Sequence, residues 1–194
     1  LARRMADPLF QNGSVRVAQP CLSFVYKAAA EIGELGDNVR ALRAAVQGDP
    51  LLRLALSGAG ARVSVVGHTR WASVGIISEP NCHPVNGEQS EQSGAVQSEQ
   101  SGGQVPPYTV AVLNGDVDNH LDLVKQHGLQ LHEAITTDAK VIPALVSHQM
   151  QQGHDLTSGF RRTVSSFEGS VAIGAASTNE PDKLALALRG SGQA

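Results

Sequence analysis

Four short strings carry the residue types that do chemistry: Gly67-His68-Thr69-Arg70-Trp71-Ala72-Ser73, Asn81-Cys82-His83-Pro84, Leu113-Asn114-Gly115 and Thr136-Thr137-Asp138. An arginine presents a planar fork that matches a carboxylate, and an aspartate can hold an ammonium. An asparagine amide beside a glycine N–H can aim two donors at one oxygen. Arg70, Asp138, Asn114 and Gly115 together have the means to bind a free amino acid and to stabilise an oxyanion. Taken singly, each has a plainer reading: a surface ion pair for Arg70, a helix cap for Asp138, a hairpin turn for Asn114-Gly115. Cys21 and Cys82 are too few for a disulfide framework, and no CxxC or HExxH spacing occurs, so the reading calls for no structural metal and no cofactor. Adjacent Cys82 and His83 would point to opposite faces of an extended chain, which argues against a local Cys–His dyad. Cys82 reads as a small buried hydrophobe and His83 as an anchor for its loop.

The elements that must position these strings follow from periodicity. Ala28, Ile32, Leu35, Val39, Leu42 and Val46 recur at helical spacing, with Gly33 and Gly36 weakening the first half. Ala61 to Val66 alternates and then runs apolar, a strand signature that delivers the chain to Gly67. Ser90-Glu91-Gln92-Ser93-Gly94 recurs as Ser98-Glu99-Gln100-Ser101-Gly102, so residues 87–107 are expected to form a disordered low-complexity insertion. A strand from Tyr108 to Leu113 should break at Asn114-Gly115-Asp116, a strong turn signal. Val117 to Gln126 predicts a short helix that Gly128 ends. Thr136-Thr137-Asp138 predicts the cap of a helix through Val141, Leu145 and Met150, ended by Gly153 and kinked at Pro143. Asp155 to Phe167 predicts another helix, and Ser170–Ala176 and Leu184–Leu188 two further strands. Adjacent strands and grouped helices argue for an α+β fold.

Composition bounds the function. The 194 residues, 41% of them hydrophobic, suffice for one domain with a real core. A net charge of −3 gives no basic field for nucleic acid. No apolar run approaches the ~20 residues that span a bilayer, and the start Leu1-Ala2-Arg3-Arg4 lacks a secretory core. The expectations are a cytoplasmic domain without nucleic-acid or membrane partners. Beginning at Leu1 and stopping just after an apolar run, the chain reads as a piece of a longer polypeptide.

The order of the strings carries more than any one of them. GHTRWAS, then NCHP, then a strand into LNG, then TTDAKVI, resembles the glutaminase domain of class II glutamine amidotransferases, and within them the branch that aminates a sugar phosphate. That branch reads GHTRWAT, NAHP, HNG and TDTE at corresponding places. The downstream FEGSVAIGAASTNEPDKLALALRGS is similar to the same family, and the resemblance runs from Tyr26 to Ser191 apart from the insertion. It implies a single, partial amidotransferase domain over 1–194 with the N-terminal-nucleophile hydrolase fold. That fold is a four-layer αββα sandwich with antiparallel sheets, here truncated at its N-terminus.

The implied reaction is hydrolysis of L-glutamine to glutamate and ammonia by an N-terminal Cys. The ammonia would go to a sugar phosphate, fructose 6-phosphate giving glucosamine 6-phosphate. The implied partners are sugar-isomerase domains in the rest of the protein, and a homodimer formed through that part. By the same resemblance Arg70 holds the glutamine α-carboxylate with help from Ser73, and Asp138 holds the α-ammonium. Asn114 and Gly115 form the oxyanion hole, and Trp71 stands at the mouth of the ammonia path. Leu113, Val74 and Lys140 replace a His, a His and a Glu of the family strings, and the family's N-terminal Cys segment is absent. This chain by itself is therefore expected to be inactive, and a degenerate glutamine-binding or regulatory domain stays open as the alternative. So does another acceptor, as in the phosphoribosyl pyrophosphate amidotransferases, asparagine synthetases and glutamate synthases.

Overall fold

The computed structural model describes residues 1–29, 34, 36–69, 73–89 and 107–190. Its centre is a four-stranded antiparallel sheet in the order β3 (Val85–Asn86), β4 (Thr109–Gly115), β5 (Val171–Ser177) and β6 (Leu184–Arg189). Between β4 and β5 the chain makes α4 (His120–Gln126), a 3-10 turn (Asp138–Lys140), α5 (Val141–Gln151) and α6 (Leu156–Ser165). Mixed helices around an antiparallel sheet make the α+β class plain.

Register decides which side chains meet the helices. Ala111 pairs with Ala175 and Leu113 with Ile173, and these in turn pair with Ala185 and Ala187 of β6. Those residues, with Val171, pack in one core with Val141, Ile142, Leu145, Val146, Leu156 and Phe160. Residues one step along each strand face the other way. Val110, Val112 and Asn114 lie opposite Ala176, Gly174 and Ala172, and beyond them stand Leu184, Leu186 and Leu188. These three leucines are 58%, 73% and 60% exposed. Among the described residues the sheet is thus clad by helices on one face and apolar but open on the other.

The helices are set by their ends. Asp155 caps α6 by accepting the Ser158 N–H at 2.8 Å, and Gly128 and Gly153 follow α4 and α5 with positive φ. Thr137 caps the 3-10 turn, and α5 begins only at Val141. Pro143 accordingly falls in the first helical turn, where its missing N–H has no intrahelical acceptor to lose. Toward the N-terminus stand α1 (Ala2–Ala6), a hairpin of β1 (Val15–Ala18) and β2 (Cys21–Phe24), and two surface helices. These are α2 (Asp37–Gly48) and α3 (Pro50–Leu56). Asp49 joins the two parts of this region, accepting from Leu51 and Leu52 N–H as the cap of α3, from Arg4 at 2.6 Å and from Tyr26 at 2.5 Å. Those hydrogen bonds, against the cost of burial, bring its pKa down to about 2.

Three expectations are corrected. The helix expected from Ala28 begins at Asp37, after Gly36 at φ +96°; residues 30–33 and 35 lie outside the described set. Ala61–Val66 forms no strand, and Val63 and Val65 are 62% and 85% exposed, because no strand among the described residues offers this segment a ladder. The strand into Leu113 does not turn at Asn114-Gly115 but continues through both, which pair with Ala172 and Val171. A turn there would serve a hairpin, whereas the connection to β5 is the long helical excursion. Of the expected insertion, residues 90–106 lie outside the described set; Gly87 N–H donates to Thr109 O at 2.8 Å and extends the β3–β4 pairing.

Candidate active site

The end of β4 is where four of the singled-out residues, Ser73, Asn114, Gly115 and Asp138, gather. Asp116 N–H donates to Ser170 O at 2.9 Å, which fixes the parity of the ladder. Even-numbered N–H groups of β4 face β5 and odd-numbered ones face the β3 edge, as Gly87 bonding to Thr109 also requires. Leu113 N–H and Gly115 N–H therefore point to the same edge. Leu113 N–H donates to His83 Nδ1 at 3.3 Å, and among the described residues Gly115 N–H meets no acceptor. The Asn114 side chain stands on the open face of the sheet and is exposed. Only glycine fits at 115: φ is +115°, and a Cβ would lie 1.9 Å from Ser170 O.

Asp138 approaches the same strand end from the 3-10 turn. It is 3% exposed, and its Oδ2 accepts the Val117 N–H at 2.8 Å. Burial raises its pKa, against the backbone N–H groups of Val117 and Ala139, with the Asp116 charge adding to the rise and His120 opposing it. Ser73 donates its hydroxyl to Asp116. Ile76 N–H donates to Thr136 Oγ1 at 3.0 Å, and a Cβ on Gly75 would lie 2.8 Å from the Thr136 carbonyl, so the segment bearing Ser73 lies directly on the turn bearing Asp138. The structure thus brings Ser73, Asn114, Gly115 and Asp138 together around residues 115–117. Arg70 and Trp71 lie outside the described residues.

His83 anchors its loop as expected, through Leu113 N–H, and Asn81 and Lys140 support this assembly in ways their residue types alone did not announce. Asn81 is fully buried. Its Oδ1 accepts from the N–H groups of Thr136 (2.7 Å) and Thr137 (3.0 Å), and its Nδ2 donates to Ser78 Oγ (2.8 Å) and Ala134 O (3.2 Å). All four of its hydrogen-bonding positions are used, three of them to hold residues 134–137 that lead into Asp138 and one on Ser78. Lys140, 1% exposed, donates from Nζ to Asn86 O (2.6 Å), Asn86 Oδ1 (3.1 Å) and Glu88 O (2.6 Å), tying that turn to the end of β3. Burial lowers its pKa to about 7, with Glu88 opposing and Lys27 reinforcing. Lys27, donating to Cys82 O at 2.9 Å, is likewise lowered by burial to about 8. Lys140 was legible as a departure from the family string, but its burial was not.

Neither cysteine is presented as a nucleophile. Cys82 Sγ faces the carbonyls of Ala28 and Ser78 at 3.6 and 3.5 Å, and Cys21 Sγ that of Thr178 at 3.7 Å. Both are partly exposed rather than buried, because each sits in a loop or hairpin outside the helix-clad core. Among the described residues no group of three or more His, Cys, Asp or Glu side chains is gathered for a metal ion. None of their helices is long and apolar enough to cross a membrane.

No protein-family model matches the chain. Curated relatives do. An isomerizing glutamine–fructose-6-phosphate aminotransferase of Shewanella oneidensis is 31% identical over 157 residues, 79% of this chain and 21% of the relative. Enzymes of the same name match at 30% identity in Clostridium tetani over 65% of this chain, and at 33% in Bacillus thuringiensis subsp. konkukian over 63%. The chain spans about a fifth of the length of these relatives. Along most of its length the chain is therefore a relative of the glutamine–fructose-6-phosphate aminotransferases, and it resembles the class II glutamine amidotransferase domain.

Proposed function

We propose that this chain forms the glutamine-binding and oxyanion-stabilising part of a glutaminase that hydrolyses L-glutamine to glutamate and ammonia. The ammonia passes to a sugar phosphate, fructose 6-phosphate yielding glucosamine 6-phosphate, on sugar-isomerase domains of the same protein. The observation that carries the reading is the convergence on one strand end: Ser73 on Asp116 and Asp138 on Val117, directly after Asn114-Gly115.

Each group then has a task. Asp138 holds the α-ammonium of glutamine, and the cation returns to its buried carboxylate the stabilisation that burial removes. Ser73 and Arg70 hold the α-carboxylate, and Trp71 borders the path by which ammonia leaves. When a thiolate attacks the side-chain amide, the carbonyl oxygen becomes an oxyanion that receives the Asn114 amide and the Gly115 N–H. The latter points off the sheet edge with no acceptor among the described residues. The nucleophile is assigned to an N-terminal Cys of the whole protein, not to Cys21 or Cys82. The open apolar sheet face, on which Asn114 stands, supports the four-layer N-terminal-nucleophile hydrolase fold, since a second sheet laid there would cover Leu184, Leu186 and Leu188 and enclose the Asn114 amide.

The test is glutamate release from glutamine by the whole protein with fructose 6-phosphate present. Asn114→Ala should lower kcat by about 10²–10³ with little change in KM, the usual effect of removing one oxyanion donor. Asp138→Asn should act mainly by raising the KM for glutamine. Unchanged activity in Asn114→Ala refutes the site, and no activity in the wild type favours a non-catalytic glutamine-binding domain.

A further inference from the structure

We infer that His83 is a positioning residue of the oxyanion site: its imidazole takes the place of a strand rung beside Gly115 and holds the end of β4 in register. This inference rests on the glutaminase reading above. The β3–β4 ladder pairs Val85 with Ala111 and Asn86 with Val110, so position 83 falls opposite Leu113. There a backbone carbonyl would ordinarily accept the Leu113 N–H. Instead the strand pairing has ended at Val85, and the acceptor is the side chain, Nδ1 of His83 at 3.3 Å. Leu113 is 3% exposed and His83 7%, so an unmet N–H at this place would carry the full desolvation cost of a buried donor.

The next N–H on that edge is the one assigned to the oxyanion, Gly115, two residues on. His83 closes the last rung and leaves that donor open. A nitrogen that accepts an N–H carries no proton of its own, so the neutral imidazole holds its proton on Nε2. The ring also lies against His68, with centroids 4.9 Å apart and planes 31° apart. His68 stands two residues before Arg70. One imidazole therefore touches both the strand that bears the proposed oxyanion donors and the segment that bears His68.

Two variants separate this role from mere packing. His83→Asn keeps a side-chain acceptor near the Nδ1 position, whereas His83→Leu fills the volume without one. In the whole protein, His83→Leu should lower the kcat for glutamine hydrolysis by about 10- to 100-fold, the scale of a donor displaced by a fraction of an ångström to an ångström. Its KM should stay within about threefold of wild type, and His83→Asn should recover most of kcat. Amide hydrogen exchange gives a readout independent of catalysis: Leu113 N–H should be protected in wild type and His83→Asn and exchange at least tenfold faster in His83→Leu. Equal losses of kcat in the two variants, or none in either, overturn the inference, as does unchanged Leu113 exchange in His83→Leu. A wild-type protein with no glutaminase activity overturns the functional reading and with it the role, whereas the exchange data then still report whether the hydrogen bond exists.

Discussion

Gly115→Ala is the substitution whose cost can be worked most directly. An added methyl would lie 1.9 Å from Ser170 O and 3.2 Å from the Cα of Val171, where a carbon–oxygen contact needs about 3.3 Å. β5 would have to withdraw by more than an ångström, which stretches the Asp116–Ser170 hydrogen bond from its 2.9 Å. Losing that bond costs about 1 kcal/mol, positive φ in an alanine roughly 1–2 kcal/mol, and forced overpacking about 1–3 kcal/mol. The sum, about 3–6 kcal/mol, is comparable to the whole stability of many domains. Urea unfolding of the wild type and the variant measures it. Gly128→Ala is the control, because Gly128 has φ +59° with nothing within 4 Å of its added Cβ, so only the backbone conformation is charged, roughly 1 kcal/mol. A Gly115→Ala protein no less stable than Gly128→Ala would refute the claim that the strand end is closed against β5.

Other measurements address the supports of the site. Asn81→Ala removes four hydrogen bonds from a fully buried position and should cost about 3 kcal/mol or more in a urea melt; a loss below about 1 kcal/mol would mean that the turn bearing Asp138 is held by other contacts. Asp138→Asn should leave stability at pH 7 within about 1 kcal/mol of wild type or raise it, since the amide oxygen still accepts the Val117 N–H and an unfavourably buried charge is removed. A large destabilisation would show instead that the carboxylate is a structural anchor.

Stability should also climb with pH between about 8 and 10. Lys27 and Lys140 have folded-state pKa values lowered to about 8 and about 7 from 10.5. In that window the unfolded chain binds more protons than the folded one, and the two lysines together give a slope of about 2 kcal/mol per pH unit. Tyr26, raised by burial to about 12, opposes this only above pH 10. A flat or falling stability from pH 8 to 10 would show that the two lysines are hydrated.

The sequence announced the helix-clad half of the fold because that half obeys local rules. α4, α5, α6 and strands β4 to β6 each had a clear period and an end signal, down to Gly128, Gly153 and Asp155. What escaped was decided by neighbours. Ala61–Val66 has the alternation of a strand, but alternation expresses a strand only where another strand pairs with it. Asn114-Gly115 has turn chemistry, yet the long excursion to β5 let the ladder run through it. The hairpin of β1 and β2 is four residues a side, too short for periodicity to register, and α3 was signalled only by Asp49-Pro50, a cap followed by proline at the first helical position. At the site, the residue types for binding an amino acid were readable in order along the chain. His83 was readable as a loop anchor but its partner was not, and the work of Asn81 and Lys140 was not readable at all, because each acts through backbone groups remote in sequence.

The open leucine face has a calorimetric consequence. Leu184, Leu186 and Leu188 are wet in the folded chain and wet again when it unfolds, so they add little to the heat-capacity change of melting, which grows with the apolar area newly hydrated. A melt of the chain alone should therefore show a heat-capacity increment below the usual ~12–15 cal/mol/K per residue, and a protein layer seated on that face would restore the increment and sharpen the curvature of stability with temperature.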